Sequence, residues 1–323
     1  MNQSKEVIRL PSVQLIGAQK AGTSAIADWL FDECFCRPKV FEDEPWYYSK
    51  EVHFFDVDSR FNCGVDFYAK RFHHAKSTNE SDASTILTMD ATPDTFPFPE
   101  RVKSIYQAAG GNQVNTVKII VILRDPVARE LSLYNHLVHD CRFLNSLELN
   151  NWHKQVLNTD GSIMSFDEFV HNVSLPALGR NDAVDFGSGR SSRHGLYAVH
   201  LQKWFDNFDR TQILVLSYDE LCNNPRRLQD RIRSFLGRPV AGSLRRSNSN
   251  DSLHKVGMPS DDAKQALLLV LEPHNERLYQ LLKDYPGPTM EQTPFPHFVS
   301  AKQNQAVQED TSERSPLSPS VSD

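Results

Sequence analysis

The sequence predicts an α/β fold, with a central parallel sheet, flanking helices and a P-loop-like turn after the first strand. Three short runs rich in Val, Ile and Leu, at residues 12–17, 118–123 and 212–216, have the length and composition of buried strands. Gly17 ends the first run, an Arg-Asp-Pro triplet follows the second, and a serine follows the third. Helical patterns separate the runs, and this alternation is typical of a parallel sheet.

The helices between these strands are predicted from apolar spacing and from proline positions. Crossover helices are expected over 23–31 and 127–139, and a further helix opens at Pro225. A last helical region is expected over 263–283, with an interruption near Pro273. One wide apolar stripe at helical spacing is formed by five residues: Tyr197, Leu201, Trp204, Phe205 and Phe208.

Length and composition indicate one large domain. The chain has 323 residues, 39% of them hydrophobic, which is enough for a substantial core. We expect a single domain over 1–298 and a disordered tail over 299–323, because the last segment has no aromatic residue and is rich in Ser and Gln. Residues 145–193 hold few apolar runs, and we expect a substrate-facing loop region there. The formal net charge of −6 argues against nucleic acid as a partner.

Cysteine usage bears on the compartment and on metal binding. The odd, scattered set of five cysteines lacks the dense even spacing of a disulfide-rich secreted domain and favours a reducing compartment. The first nine residues are polar, with neither a signal core nor a membrane span. We therefore expect a cytoplasmic protein and regard the Golgi lumen as the less favoured location. Nothing in the Cys and His spacing requires a metal.

The first strand leads into a glycine-rich loop, Gly17-Ala-Gln-Lys-Ala-Gly-Thr-Ser24, which is followed by a helical pattern. Strand, small-residue loop and helix N-terminus together form an anion cradle, because backbone N–H groups and the helix dipole point to one place. A nucleotide kinase loop carries its lysine after the second glycine, whereas Lys20 precedes Gly22. The loop therefore predicts a phosphate or sulfate site that matches Mg-nucleotide chemistry poorly.

Two further groups of residues are candidates for the site. Arg124 follows the second strand, so it is expected at the carboxyl edge of the sheet beside Lys20, where open α/β sheets bind ligands. Glu51 and His53 alternate, so on a strand both side chains would face one side. Either could serve as a general base, or His53 could orient an acceptor. A solvated strand face above buried phenylalanines is the structural alternative.

Four blocks of the sequence, in this order, match the pattern of a known family. They cover residues 17–24, 50–56, 124–134 and 195–204, and the last block continues with 212–216 and 235–237. They resemble the sulfotransferases that use 3′-phosphoadenosine 5′-phosphosulfate (PAPS), most closely the heparan sulfate and carbohydrate branch. The first block resembles a phosphosulfate-binding loop, and the third resembles a 3′-phosphate block. The resemblance extends over roughly residues 12 to 285.

The resemblance implies the chemistry and a set of residue roles. PAPS would donate a sulfuryl group, leaving 3′-phosphoadenosine 5′-phosphate (PAP), and no metal would be required. Glu51 would be the general base, with His53 beside it, and Lys20 would offset charge on the leaving group. Arg124 and Ser132 would bind the 3′-phosphate. The other donor-site residues implied are Ala21, Gly22, Thr23 and Ser24 of the loop, then Tyr197, Lys255 and Gly257.

One departure from the family concerns the acceptor. Relatives carry Glu-Lys-Thr-Pro where this chain reads Asp90-Ala91-Thr92-Pro93, so a lysine that helps the family handle sulfate and acceptor is replaced by Ala91. The net charge of −6 also fits poorly with a long anionic polysaccharide. We therefore take the donor chemistry from the resemblance and leave the acceptor open.

Four functions are compared. The leading hypothesis is PAPS-dependent transfer to a hydroxyl or amino group of a small or medium-sized acceptor, and a glycan acceptor is the first alternative. A non-catalytic nucleotide-binding module is the second, although Glu51 would have no use there. A kinase or NTPase is disfavoured by the place of Lys20. The sequence names neither the acceptor nor the oligomeric state.

Overall fold

The structure is a computed structural model. It describes residues 8–42, 44, 46–72, 87–144, 149–180, 191–244, 260–285, 287–288 and 295–298. The predicted tail over 299–323 lies outside these residues, and so do two of the predicted donor-site residues, Lys255 and Gly257.

Five parallel strands form the central sheet, and the α/β prediction is confirmed. In chain order they are β1 (Val13–Gly17), β2 (Phe35–Cys36), β3 (Leu87–Asp90), β4 (Lys118–Leu123) and β5 (Ile213–Ser217). Their order in the sheet is β2-β3-β1-β4-β5, so β1 is central and the chain crosses from one side of it to the other after β3. All three predicted strands are present and almost entirely buried, as their continuous apolar runs require.

Helices cover the sheet and extend beyond it. The longer ones are α1 (Thr23–Glu33), α4 (Pro99–Ala109), α6 (Pro126–Phe143), α10 (Tyr197–Asn207), α12 (Pro225–Leu236) and α13 (Asp261–Asp284). Shorter ones are α2 (Asp58–Phe61), α3 (Gly64–Ala69), α5 (Gln113–Thr116), α7 (Asn151–Lys154), α8 (Phe166–Phe169), α9 (Leu175–Leu178) and α11 (Tyr218–Asn223). Single-turn helical segments lie at Trp46–Ser49, Pro93–Thr95, Ser192–Gly195 and Arg210–Gln212, and a π-helical segment, Val170–Ser174, joins α8 to α9.

Two predictions about helices are wrong. Helix α13 continues through Pro273 without the expected interruption, because buried leucines on both sides, including Leu271 and Leu278, hold it against the core. Part of the expected loop region at 145–193 is also helical. Phe166 and Phe169 are buried in a second apolar cluster beside α6 and α13, and their three-residue spacing is a helical signal.

The edge strand β5 is covered on its open side by arginine side chains. Arg231 donates a hydrogen bond from Nη2 to the carbonyl oxygen of Val215 at 3.0 Å, and Arg210 donates to the carbonyl oxygen of Ile213. Arg231 also pairs with Glu220. Two carbonyl groups of the strand are thereby hydrogen-bonded within the chain.

None of the helices in the described part of the chain combines the length and apolar content that crossing a bilayer requires.

Burial predicts which leucines support the fold. Leu15, in the central strand β1, is fully buried, whereas 63% of Leu269 on α13 is exposed. Leu15→Ala should lower the free energy of unfolding by about 2–5 kcal/mol, since it removes apolar contacts and leaves a cavity. Leu269→Ala, the matched control, should change it by no more than about 0.5 kcal/mol. Urea denaturation followed by fluorescence measures both, and equal effects would contradict the assigned core.

Candidate functional site

The predicted anion-binding loop lies between the end of β1 and the start of α1. Gly22 has a φ of 98°, and a Cβ there would lie 2.8 Å from Leu221 and 3.0 Å from the ring of Tyr218. The positive φ and the lack of room for a Cβ therefore both require glycine at position 22. Thr23 begins α1, and among the described residues no side chain caps the helix. Its first backbone N–H groups, including that of Ser24, can therefore point towards an anion.

Lys20 has a φ of 65°, in the left-handed region, and is half-buried within the loop. Burial disfavours the charged form and lowers the pKa of Lys20 to about 8. The carboxylates of Asp140 and Glu51 oppose this shift, while the nearby cations Lys50 and Arg124 add to it. The loop thus holds a lysine whose charge an anionic ligand would stabilise.

The loop after β4 contacts the loop after β1. Arg124 donates from Nη1 to the carbonyl oxygen of Lys20 at 3.3 Å, and its guanidinium lies 4.5 Å from the ring centre of Tyr218. Tyr197, fully buried, donates its hydroxyl to the carbonyl oxygen of Arg124 at 2.7 Å. Arg124 and Lys20 are therefore brought together as predicted, and Tyr197 supports the main chain of Arg124.

Arg129, to which the sequence assigned no role, supports the glycine-rich loop. Arg129 is fully buried, with Nη1 3.5 Å from the carbonyl oxygen of Gln19 and Nη2 2.5 Å from Glu130. Glu130 in turn accepts a hydrogen bond from Ser174 at 2.6 Å. This buried pair ties α6 to the glycine-rich loop and to the segment after α8. A charged residue one turn before the buried Leu133 of α6 gave no signal of this role.

Glu51 and His53 lie together, although the predicted strand is wrong. Residues 50–54 form no strand, and His53 has a φ of 49°, so the chain turns sharply there. The turn still places His53 Nε2 3.5 Å from Glu51 Oε2. On its other side, His53 Nδ1 lies 2.9 Å from Asp56 Oδ2. The three side chains form a carboxylate–imidazole–carboxylate row, and Asp56 is a member that sequence reasoning missed.

The charges in this row shift each other's pKa values. Burial opposes the charged form of His53, but Asp56 and Glu51 outweigh it and raise the pKa of His53 well above its usual value. Burial would raise the pKa of Glu51, but His53 and Lys50 outweigh it and lower that pKa to about 2. At neutral pH the row therefore holds a carboxylate beside an imidazolium.

Residues at the end of β3 and just after it hold the row in place. The backbone N–H of His53 donates to Thr92 Oγ1 at 3.2 Å, and the Thr92 hydroxyl donates to Asp90 Oδ1 at 2.6 Å. Tyr68 donates to the other oxygen of Asp90 at 2.9 Å. Burial raises the pKa of Asp90 to about 6. These contacts join residues far apart in sequence and had no sequence signal.

The remaining predictions for the site have different outcomes. Ser132 lies on α6, in the second turn from Arg124, and its place at a 3′-phosphate stays a prediction. Side-chain atoms of His53, Asp56 and Asp94 lie within 4.8 Å of one another, a spacing that could hold a metal ion. The expectation that no metal is required therefore also stays a prediction.

Asp56 is predicted to control the protonation of His53. Asp56→Asn removes the carboxylate that stabilises the imidazolium. Burial, which disfavours the charged ring, is then opposed less strongly, so the pKa of His53 should fall below its wild-type value. NMR titration of the His53 Cε1–H signal measures this. Asp66→Asn, an exposed change on α3, is the matched control. An unchanged titration in Asp56→Asn would show that other groups determine the charge of His53.

Comparison with known proteins identifies the family. The sulfotransferase domain model matches residues 10–256, about three quarters of the chain. Human heparan sulfate glucosamine 3-O-sulfotransferase 5 is 24% identical over 245 residues, which cover 74% of this chain and 58% of that protein. Human bifunctional heparan sulfate N-deacetylase/N-sulfotransferase 2 is 26% identical over 242 residues, covering 73% of this chain and 23% of that protein.

The fold comparison agrees. The crystal structure of a sulfotransferase from Alicyclobacillus acidocaldarius matches with a TM-score of 0.54 and 21% identity, covering 85% of this chain and 96% of that one. The chain spans a little over half of the first relative and about a quarter of the second. By the extent of the family match, the chain belongs to the sulfotransferase domain family.

Proposed function

We propose that the protein transfers a sulfuryl group from PAPS to a hydroxyl or amino group. The observation that carries the proposal is the contact between two sets of residues. Arg124 contacts the loop that holds Lys20, and Glu51 lies in a row of acid–base side chains. Lys50 joins the two sets, because its Nζ donates to Ser24 Oγ at 2.7 Å and to Glu51 Oε1 at 2.6 Å. Membership of the family supports the same chemistry.

The described residues fit the donor. PAPS carries a 5′-phosphosulfate and a 3′-phosphate, and supplies an activated sulfuryl group when bound. The uncapped start of α1, with glycine at position 22, suits the 5′-phosphosulfate. Arg124, joined to that loop, suits the 3′-phosphate together with Ser132. Ala21 turns back to the carbonyl oxygen of Ala18 at 3.1 Å and closes the loop.

The acid–base row suits an acceptor that must lose a proton. Glu51 takes the proton of the attacking hydroxyl or amino group, and His53 fixes the orientation of Glu51 through their 3.5 Å contact. Lys20 offsets the negative charge that develops on the phosphate oxygen as its bond to sulfur breaks. A binding module without turnover would have no use for this row.

A glycan acceptor is the second candidate. The relatives are named as a heparan sulfate glucosamine 3-O-sulfotransferase and a heparan sulfate N-deacetylase/N-sulfotransferase, which favours a sugar hydroxyl or amine over an unrelated small molecule. The net charge of −6 and the alanine at position 91 favour an acceptor less anionic than a long sulfated chain.

The five cysteines are free thiols, which supports a reducing compartment such as the cytoplasm.

Nucleotide binding tests the donor assignment. Calorimetry should show tight binding of PAP and binding of adenosine 5′-phosphate at least ~10-fold weaker, because charge-assisted hydrogen bonds to the 3′-phosphate are lost. Arg124→Ala should weaken PAP far more than adenosine 5′-phosphate. Folded protein that binds neither nucleotide would refute the proposed function. Equal losses for the two nucleotides in Arg124→Ala would refute the role of Arg124.

The pKa of Lys20 predicts how PAP affinity depends on pH. Without a ligand that pKa is about 8, and a bound phosphate raises it, so above pH 8 binding must also protonate Lys20. PAP affinity should therefore fall, by up to ~10-fold for each pH unit, between pH 8 and pH 10. Lys20→Met should bind more weakly and show no such fall. A flat wild-type profile would place Lys20 away from the phosphate.

A further inference from the structure

Lys50 lies between the donor loop and Glu51. Its Nζ donates a hydrogen bond to Ser24 Oγ at 2.7 Å and another to Glu51 Oε1 at 2.6 Å. Its side chain is 17% exposed, so the ammonium group is largely shielded from bulk water. The charge of Lys50 also acts on Lys20, whose pKa it helps to lower. Two ammonium groups therefore approach the start of α1, and one of them is shared with the predicted base.

The position of Lys50 compensates for the missing family lysine. Ala91 is fully buried, and its backbone N–H donates to the carbonyl oxygen of Lys50 at 3.3 Å. The segment that holds the lysine in relatives is thus in direct contact with the segment that holds Lys50. A cation is supplied to the site from the neighbouring segment, although position 91 itself has only a methyl group.

We propose that Lys50 is a further catalytic residue, whose ammonium group binds the transferring sulfuryl group in place of the lysine absent at position 91. The assignment rests on the proposed function. Lys50 is placed for it because the same Nζ contacts Ser24, in the first turn of α1, and Glu51, where the acceptor proton is taken. A sulfuryl group between donor loop and base would lie within reach of this group.

Binding of the donor then changes the partners of Lys50. Without a ligand, the ammonium group of Lys50 donates a hydrogen bond to Glu51 Oε1 at 2.6 Å, and His53 lies beside the other oxygen of Glu51 at 3.5 Å. When Lys50 turns its hydrogen bonds to the sulfuryl oxygens, Glu51 loses one of these two partners. Its Oε1 can then accept the acceptor proton at the moment when the sulfuryl group is in place.

The step balances without any further reactant. The acceptor oxygen or nitrogen gives its proton to Glu51 and forms a bond to sulfur. The bond from sulfur to the bridging oxygen breaks, and its electron pair stays on the phosphate, which leaves as PAP. Lys50 keeps its proton throughout, because it acts by charge and hydrogen bonding alone.

The test compares PAPS with PAP, which differ by the sulfuryl group, and needs no acceptor. Lys50→Met should weaken PAPS binding ~10–100-fold by calorimetry, because a charge-assisted contact is lost, while PAP affinity changes less than ~2-fold. Lys50→Arg keeps the charge and should stay within ~5-fold of the wild type for both nucleotides. Lys70→Met, an exposed change at the end of α3, is the matched control and should change neither affinity.

The outcomes separate this inference from the proposed function. Wild-type protein that binds neither PAPS nor PAP would refute the proposed function itself. Wild-type binding together with equal losses for the two nucleotides in Lys50→Met would make Lys50 a structural residue, and unchanged PAPS affinity would remove it from the site. Either result refutes the inference alone. Thermal unfolding of each variant verifies that the protein measured is folded.

A double-mutant cycle tests the exchange of partners. Glu51→Gln frees Lys50 from its ion pair, so PAPS affinity should rise at least ~3-fold, with PAP affinity nearly unchanged. In Lys50→Met/Glu51→Gln this rise should disappear. A rise of the same size without Lys50 would mean that Glu51 simply repels the sulfuryl group, and the exchange would be refuted.

Discussion

The parallel pairing of β1 with β4 is the constraint on which the site depends. Because the two strands run in the same direction, both end at one edge of the sheet, and Gly17 stands opposite Val121. The pairing continues past the end of β1, since the N–H of Ala18 donates to the carbonyl oxygen of Ile122 in β4 at 2.8 Å. The donor loop and Arg124 therefore emerge side by side. Lys20 and Arg124 are distant in sequence, yet the strand pairing alone places both side chains where they can contact one anionic ligand.

Much of the fold and the placement of Arg124 beside the glycine-rich loop could be predicted from sequence, and most of the row formed by Glu51, His53 and Asp56 could not. The donor loop is contiguous, so its glycine, lysine and helix start are visible in eight residues, and the buried strands are visible as apolar runs. Glu51 and His53 were predicted to be neighbours for the wrong reason. A left-handed backbone at a histidine, which replaces the expected strand, has no sequence signal. The contacts of Thr92 with His53 depend on tertiary structure alone.

The two halves of the site differ in charge. One half is the loop with Lys20 and Arg124, and the other is the row of Glu51, His53 and Asp56. The half around Lys20 and Arg124 is cationic, and burial leaves Lys20 partly destabilised in its charged form. The acid–base half contains two carboxylates and one imidazole, and His53 contacts both Glu51 and Asp56. Lys50 belongs to both halves through Ser24 and Glu51. Hydrogen bonds of Lys50 therefore join the two halves, and the direct effect of Glu51 on the pKa of Lys20 couples their charges as well.

The arginines that cover β5 have a consequence for assembly. A sheet edge with unsatisfied carbonyl groups is a template on which a strand of another molecule can add. Here guanidinium groups of Arg210 and Arg231 already occupy two acceptors that point the same way along the strand. An incoming strand would have to displace both cations before it could pair. The sheet is thereby protected from extension at this end, and intermolecular β-pairing that leads to aggregation is disfavoured.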